Sequence, residues 1–158
     1  MTRTSIDEDF FVNLSNPTNA QLDNNQAEGQ ILSDDNAVVH IDSYYWDSEP
    51  DPYYGGMTTF AFNVWLSLPS SETVTVDFST FDGAATAGLD YLPTLGTLTF
   101  APGETSQTIY VSVLADWDYE SIEEFYVLLS NPSSNALIQP AWDLGVGEIF
   151  DNQGDWWY

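Results

Sequence analysis

The segment Ala115 to Pro132, ADWDYESIEEFYVLLSNP, places Asp116, Asp118, Glu120, Glu123 and Glu124 just ahead of a run that alternates apolar and polar residues and ends in a turn. Carboxylates this close in sequence repel one another, and two kinds of chemistry would use them. A hard cation such as Ca²⁺ takes roughly six to eight oxygen ligands, whereas glycoside hydrolysis needs two acids flanking a sugar, as Glu120 and Glu123 could. Asp116, Glu120 and Glu123 share one loop and the start of the next strand, without the regular spacing of an EF-hand, so a metal would need further ligands from separate loops. The stretches FDG at Phe81 to Gly83 and IFD at Ile149 to Asp151 end other strands and offer them. His40, the sole histidine, stands beside Val38, Val39 and Ile41 and reads as a strand-face residue. No Cys or Lys nucleophile accompanies it, and no enzymatic activity is expected.

The elements that must position these acids are strands. Period-two alternation recurs between turn signals and no segment keeps a helical period. Phe60, Phe62, Val64 and Leu66 point one way, Ala61, Asn63 and Trp65 the other; Val74, Val76 and Phe78, Leu98 and Phe100, Ile109, Val111 and Val113, and Phe125, Val127 and Leu129 repeat the pattern. PGET at Pro102 to Thr105 is a turn, since Pro presets the first central position and Gly supplies positive φ at the second. With VVHI near the start and GVGEIF near the end, this predicts an all-β fold of about seven strands, an immunoglobulin-like antiparallel sandwich.

Composition narrows the partners. The 158 residues carry 25 Asp and Glu against one basic residue, Arg3, for a formal charge of -24. Such repulsion opposes the compact state unless cations neutralise it, and it makes nucleic acid and anionic membranes poor partners. Without Cys there is neither a disulfide nor a thiolate metal site, and without Lys no Lys–Asn or Lys–Asp isopeptide crosslink. No stretch is apolar for long enough to span a bilayer, and MTRTSIDEDF lacks the basic and apolar regions of a signal peptide. Aromatic residues at Tyr44 to Trp46, Tyr53, Tyr54, Trp65, Trp117, Trp142 and Trp156 to Tyr158 exceed what one small core needs. Packing between domains or subunits is the first expectation for them, binding of sugar rings the second.

The chain also repeats itself. FFVNLSNP at Phe10 to Pro17 matches FYVLLSNP at Phe125 to Pro132, and EGQILSDDN matches VGEIFDNQG after a loop of different length. Residues 1–36 therefore read as the last two strands of a preceding repeat and 37–155 as a complete one, as in a tandem array. Within 37–155 the DG-A-AG-DY turn, the G-L-F-PGE hairpin and the E--EEF-V-LSN strand entry occur in order, from TFDGAATAGLDY through FAPGET to ESIEEFYVLLSNP. In these motifs the chain resembles the Calx-beta domain, a calcium-binding sandwich module of sodium-calcium exchangers and of bacterial surface proteins.

The resemblance implies Ca²⁺ held at one end of the sandwich by carboxylates from several loops. It assigns Asp82 from the first motif, Asp116, Glu120 and Glu123 from the loop before the EEF strand with Asp118 as a backbone-carbonyl ligand, Asp151 and Asn152 from the last strand, and either Asp47 or Glu49 from the first. Ala115, Trp117, Asn152 and Gln153 stand where acids often occur, which favours one or two ions. That assignment argues against glycoside hydrolysis. The function expected is a calcium-binding structural module of a repetitive extracellular or cell-surface protein, with neighbouring repeats or identical subunits as partners and glycans as a further possibility. The strip Phe10, Val12 and Leu14 is expected to pack on a sandwich, between chains, giving head-to-tail association or filaments.

Overall fold

The computed structural model describes residues 8–31 and 36–151, and the chain divides after Asp35 into two units. In the first, β1 (Glu8–Asn13) and β2 (Gln26–Ile31) form an antiparallel pair in which Phe10 faces Gly29 and Val12 faces Ala27. The Gln26 side-chain amide donates to Asn13 Oδ1 at 3.0 Å across the end that the connecting loop closes.

The second unit holds β3 (Ala37–Ile41), β4 (Tyr44–Ser48), β5 (Thr58–Leu66), β6 (Val74–Asp82), β7 (Leu95–Phe100), β8 (Ser106–Val113), β9 (Glu123–Ser130), β10 (Ala136–Ile138) and β11 (Leu144–Phe150). They form a four-stranded sheet, β10-β3-β5-β8, and a five-stranded sheet, β4-β11-β9-β6-β7. The all-β sandwich is thus as expected, but its strands are nine among the described residues, and two pairings, β10 with β3 and β11 with β4, are parallel.

The second of these pairings follows from the first strand, which changes sheet part-way along. The Asp42 amide donates to the Asn63 carbonyl at 2.9 Å, and Asp42 Oδ2 accepts from the Asn63 backbone and side-chain amides at 3.1 and 2.9 Å. This clamp ends β3 on β5. From Ser43 the chain crosses over, and the Val146 amide donates to the Ser43 carbonyl at 3.2 Å to begin the run of β4 beside β11.

The predicted inward rows are buried: Phe60, Phe62, Val64 and Leu66 from β5 meet Val74 and Val76, Ile109, Val111 and Val113, and Phe125, Val127 and Leu129. Each such side chain contributes roughly 1.5–3 kcal/mol of transfer free energy. Trp65 lies on the outer face, and Phe78 is only partly buried against the core. At the PGET turn the Glu104 amide donates to the Ala101 carbonyl at 2.8 Å and Gly103 takes φ 81°, the left-handed value that a type II turn requires.

Candidate metal centre

The residue that brings the site together is Tyr91, in the loop between β6 and β7. Its side chain is fully buried and stacks on Phe125 with ring centroids 4.6 Å apart. The Tyr91 hydroxyl donates to Asp82 Oδ1 at 2.6 Å, and the same oxygen accepts from the Ala87 amide at 2.9 Å. Burial first, then the Asp82 carboxylate, raises the Tyr91 pKa, which keeps the hydroxyl protonated as a donor. With Tyr91 anchored in the core, its neighbour Asp90 is buried at the end of the sandwich. Asp90 Oδ2 accepts from the Thr86 amide at 2.6 Å, and its carbonyl accepts from the Leu114 amide at 2.8 Å, which ties this loop to the end of β8.

The segment after β8 supplies the other acids. Oxygen atoms of Asp90, Asp116 and Glu120 all lie within 4.8 Å of one another. Asp116 Oδ1 accepts from the Asp118 amide at 2.8 Å, so the loop turns locally on this residue, while the Asp118 side chain stays exposed. The Glu120 amide donates to Asp151 Oδ2 at 3.0 Å, which joins the loop to the end of β11. Beside Asp151, the Glu49 amide donates to the Phe150 carbonyl at 3.0 Å and the Glu49 side chain is 7% exposed. Asp47, two residues earlier, is half-buried and its Oδ1 accepts from the Ser48 amide at 2.8 Å. Of the two first-strand candidates, Glu49 is the one buried at this pole.

The acids register one another electrostatically. Glu123, the first residue of β9, has its carboxyl pushed up to about 7 by burial, then by the charges of Asp90, Glu120 and Asp116. Glu120 is also raised, by burial first and then by Asp90, Asp116, Asp118 and Asp151. Glu123 Oε2 is buried with no hydrogen-bond partner. A buried carboxylate oxygen that faces other carboxylates and lacks a donor is destabilising, and a cation reverses the sign of that interaction. The donor set is all oxygen, which suits a hard cation such as Ca²⁺.

The sequence assignment of Asp82 does not fit this geometry. Asp82 is exposed and its Oδ1 is engaged by Tyr91 and Ala87, whereas Asp90, the second acid of FDGAATAGLDY, stands among the clustered oxygens. The signal that could have found Asp90 is the aromatic residue after it, since a buried ring fixes where its neighbour points. Asn152 lies outside the described residues.

The Calx-beta domain family model matches residues 52–151. The chain belongs to the Calx-beta family. Over 61 residues this Calx-beta chain is 51% identical to sodium/calcium exchanger 1 of Canis lupus familiaris, and 46% identical to sodium/calcium exchanger 3 of Homo sapiens. Each match spans 39% of this chain but only 6% and 7% of the exchangers. Among solved structures, the apo-form Calx CBD1 domain superposes with a TM-score of 0.66 at 27% identity, covering 75% of this chain and 99% of that one. The calcium binding domain CBD12 of CALX1.1 gives a TM-score of 0.63 at 27% identity over 72% of this chain and 45% of that one. These neighbours share the sandwich described above.

Proposed function

We propose that this Calx-beta domain is a calcium-binding structural module, with Asp90, Asp116, Glu120 and Glu123 as the carboxylates that hold one or two Ca²⁺ ions, helped by Asp151 and Glu49. The observation that carries this reading is the meeting of Asp90, Asp116 and Glu120 oxygens within 4.8 Å, beside the buried Glu123 oxygen that has no hydrogen-bond partner. Asp118 contributes its backbone carbonyl, while Asp82 holds the Asp90 loop and Asp47 supports the strand that carries Glu49. Bound Ca²⁺ supplies charge neutralisation, which stiffens the loops at this end and fixes the angle to a neighbouring domain. The stretch shared with the exchangers is a few per cent of their length, and ion transport is not carried over from them.

Among the described residues no helix is long and apolar enough to cross a membrane. An extracellular or cell-surface setting in a repetitive protein is the reading the acidic composition and internal repeat favour. Affinity separates the settings: extracellular modules bind Ca²⁺ with Kd of about 10⁻⁴–10⁻³ M, cytosolic sensors at about 10⁻⁷–10⁻⁵ M. Calorimetric titration and thermal melting with EDTA or Ca²⁺ test both parts. At a hundredfold excess over Kd the gain is about 2.7 kcal/mol, a rise of about 5–10 °C in melting midpoint. Equal midpoints with no heat of binding would remove the metal reading, and a submicromolar Kd would remove the extracellular one.

A second reading, glycan binding, has one favourable observation. The His40 ring stands 6.1 Å from Trp65, stacked, and 4.2 Å from Trp142, and all three line an open cleft of about 580 Å³ that also includes Asp42 and Ser43. Aromatic faces suit the apolar face of a pyranose, and the carboxylate and hydroxyl suit its hydroxyl groups. A glycan array probed with the wild type and with Trp142→Ala, with and without Ca²⁺, decides it; identical blank arrays end this reading.

A further inference from the structure

The β1–β2 pair is built as β9–β11 is, residue for residue. Phe10 faces Gly29 as Phe125 faces Gly147, Phe11 faces Glu28 as Tyr126 faces Val146, and Val12 faces Ala27 as Val127 faces Gly145. In both pairs the phenylalanine ring covers the facing glycine so closely that a Cβ there would overlap it. Both first strands run into the same LSNP end, whose Asn is left-handed, Asn16 at φ 53° and Asn131 at φ 47°, just before Pro17 and Pro132. The register and the turn are set by different residues, so their agreement is two observations.

Where the pairs differ is in what covers them. Phe125 and Val127 are fully buried and Leu129 is 3% exposed, but Phe10, Val12 and Leu14 are 48%, 50% and 56% exposed. The cover on β9 has two parts. Phe60 and Phe62 of the facing sheet stand 5.7 and 6.1 Å from the Phe125 ring, and β6 hydrogen-bonds along the free side of β9. A strand pair with the same inward row is shaped for the same two parts, and an isolated hairpin is marginal in water.

We propose that residues 8–31 are the closing strand pair of a second Calx-beta sandwich, whose facing sheet and flanking strand come from a preceding repeat with the pattern of residues 37–119. The interface is the one that β9 and β11 make with β5 and β6, used a second time. Glu8, paired with Ile31, then holds the register position of Glu123, paired with Ile149.

The test places a second copy of residues 37–119 directly before Ser5, so that Tyr119 leads into Ser5 as it naturally leads into Glu120. Amide hydrogen exchange is read at Phe10, Phe11 and Val12 in the fused and the original chain. Protection of these amides is expected to rise at least about 100-fold on fusion, toward that of Phe125 to Val127, and Phe10→Asp in the fused chain should abolish the gain. A tandem of two 37–151 copies serves as the folding control. Fast exchange at Phe10 to Val12 in the fused chain, with both copies protected in the control, overturns the proposal. So does protection already present in the original chain, where independence of concentration would mean docking on its own sandwich, and growth with concentration, matched by mass in light scattering, association between copies.

Discussion

In the calcium site proposed above, Glu123 would bind a proton when the metal is absent. Its carboxyl is raised to about 7, first by burial and then by Asp90 and Glu120, against about 4.3 in an unfolded chain. Between those values the folded chain binds the proton more tightly, so the stabilising contribution is fully present below about pH 4.3 and is lost as pH rises through about 7. In EDTA the melting midpoint should therefore fall from pH 5.5 to pH 8, and saturating Ca²⁺ should flatten or reverse that slope. Calcium must displace this proton, so affinity should increase from pH 6 to pH 8 and the heat of binding should vary with the ionisation enthalpy of the buffer; a heat independent of buffer at pH 6.5 would clear Glu123 of the role. Substitution separates the acids. Glu120→Gln with Glu123→Gln, or Asp90→Asn alone, should weaken calcium more than tenfold, above about 1.4 kcal/mol. Asp82→Ala removes the acceptor of Tyr91 and Ala87 and should cost about 1–3 kcal/mol of stability even in EDTA, measured by chemical denaturation. The ligand types and the β8–β9 loop were legible because Asp116, Glu120 and Glu123 are near one another in sequence. The place of Asp90 was missed, since the sequence reading takes Asp82 from the first motif and the Tyr91 hydroxyl that engages Asp82 reaches it only in the folded core.

Strands β5, β6, β8 and β9 were legible because one face of each is buried and the alternation records it. Strand β4 was not: its residues alternate between exposed and half-buried, and its aromatics Tyr44 and Trp46 face outward. Its place is set by the Asp42 clamp to Asn63, a contact between segments far apart in sequence. The short β10 is likewise defined by its parallel partner β3. The Phe-over-glycine contact gives a test at this scale. Gly147→Ala puts a methyl into the Phe125 ring, which is fully buried and has no room to withdraw. The loss should be about 1–3 kcal/mol, read from denaturation midpoints. An unchanged midpoint would mean that β9 and β11 can separate without cost, which the paired register makes untenable.

The whole chain carries a formal charge of -24 and a single basic residue. Without calcium, raising NaCl from low concentration to about 1 M, where the screening length shrinks to about 3 Å, should raise the melting midpoint, and with calcium bound the gain should be smaller. That expectation comes from composition alone; the direction in which the chain enters and leaves its sandwich does not. The first strand enters at Ala37, crosses between sheets, and as β4 runs parallel to β11, with Tyr44 to Ser48 registered against Val146 to Phe150. The entering and leaving strands therefore point the same way, so the sandwich is entered at one pole and left at the other. Tension applied between residues 36 and 151 then loads the five paired positions of β4 and β11 together, in shear, instead of peeling them one at a time. A domain so connected should resist stretching in a force spectrometer far better when pulled through these ends than when pulled across the edge of β7, and if calcium binds at the proposed ligands Glu49 and Asp151, its addition should raise the rupture force further.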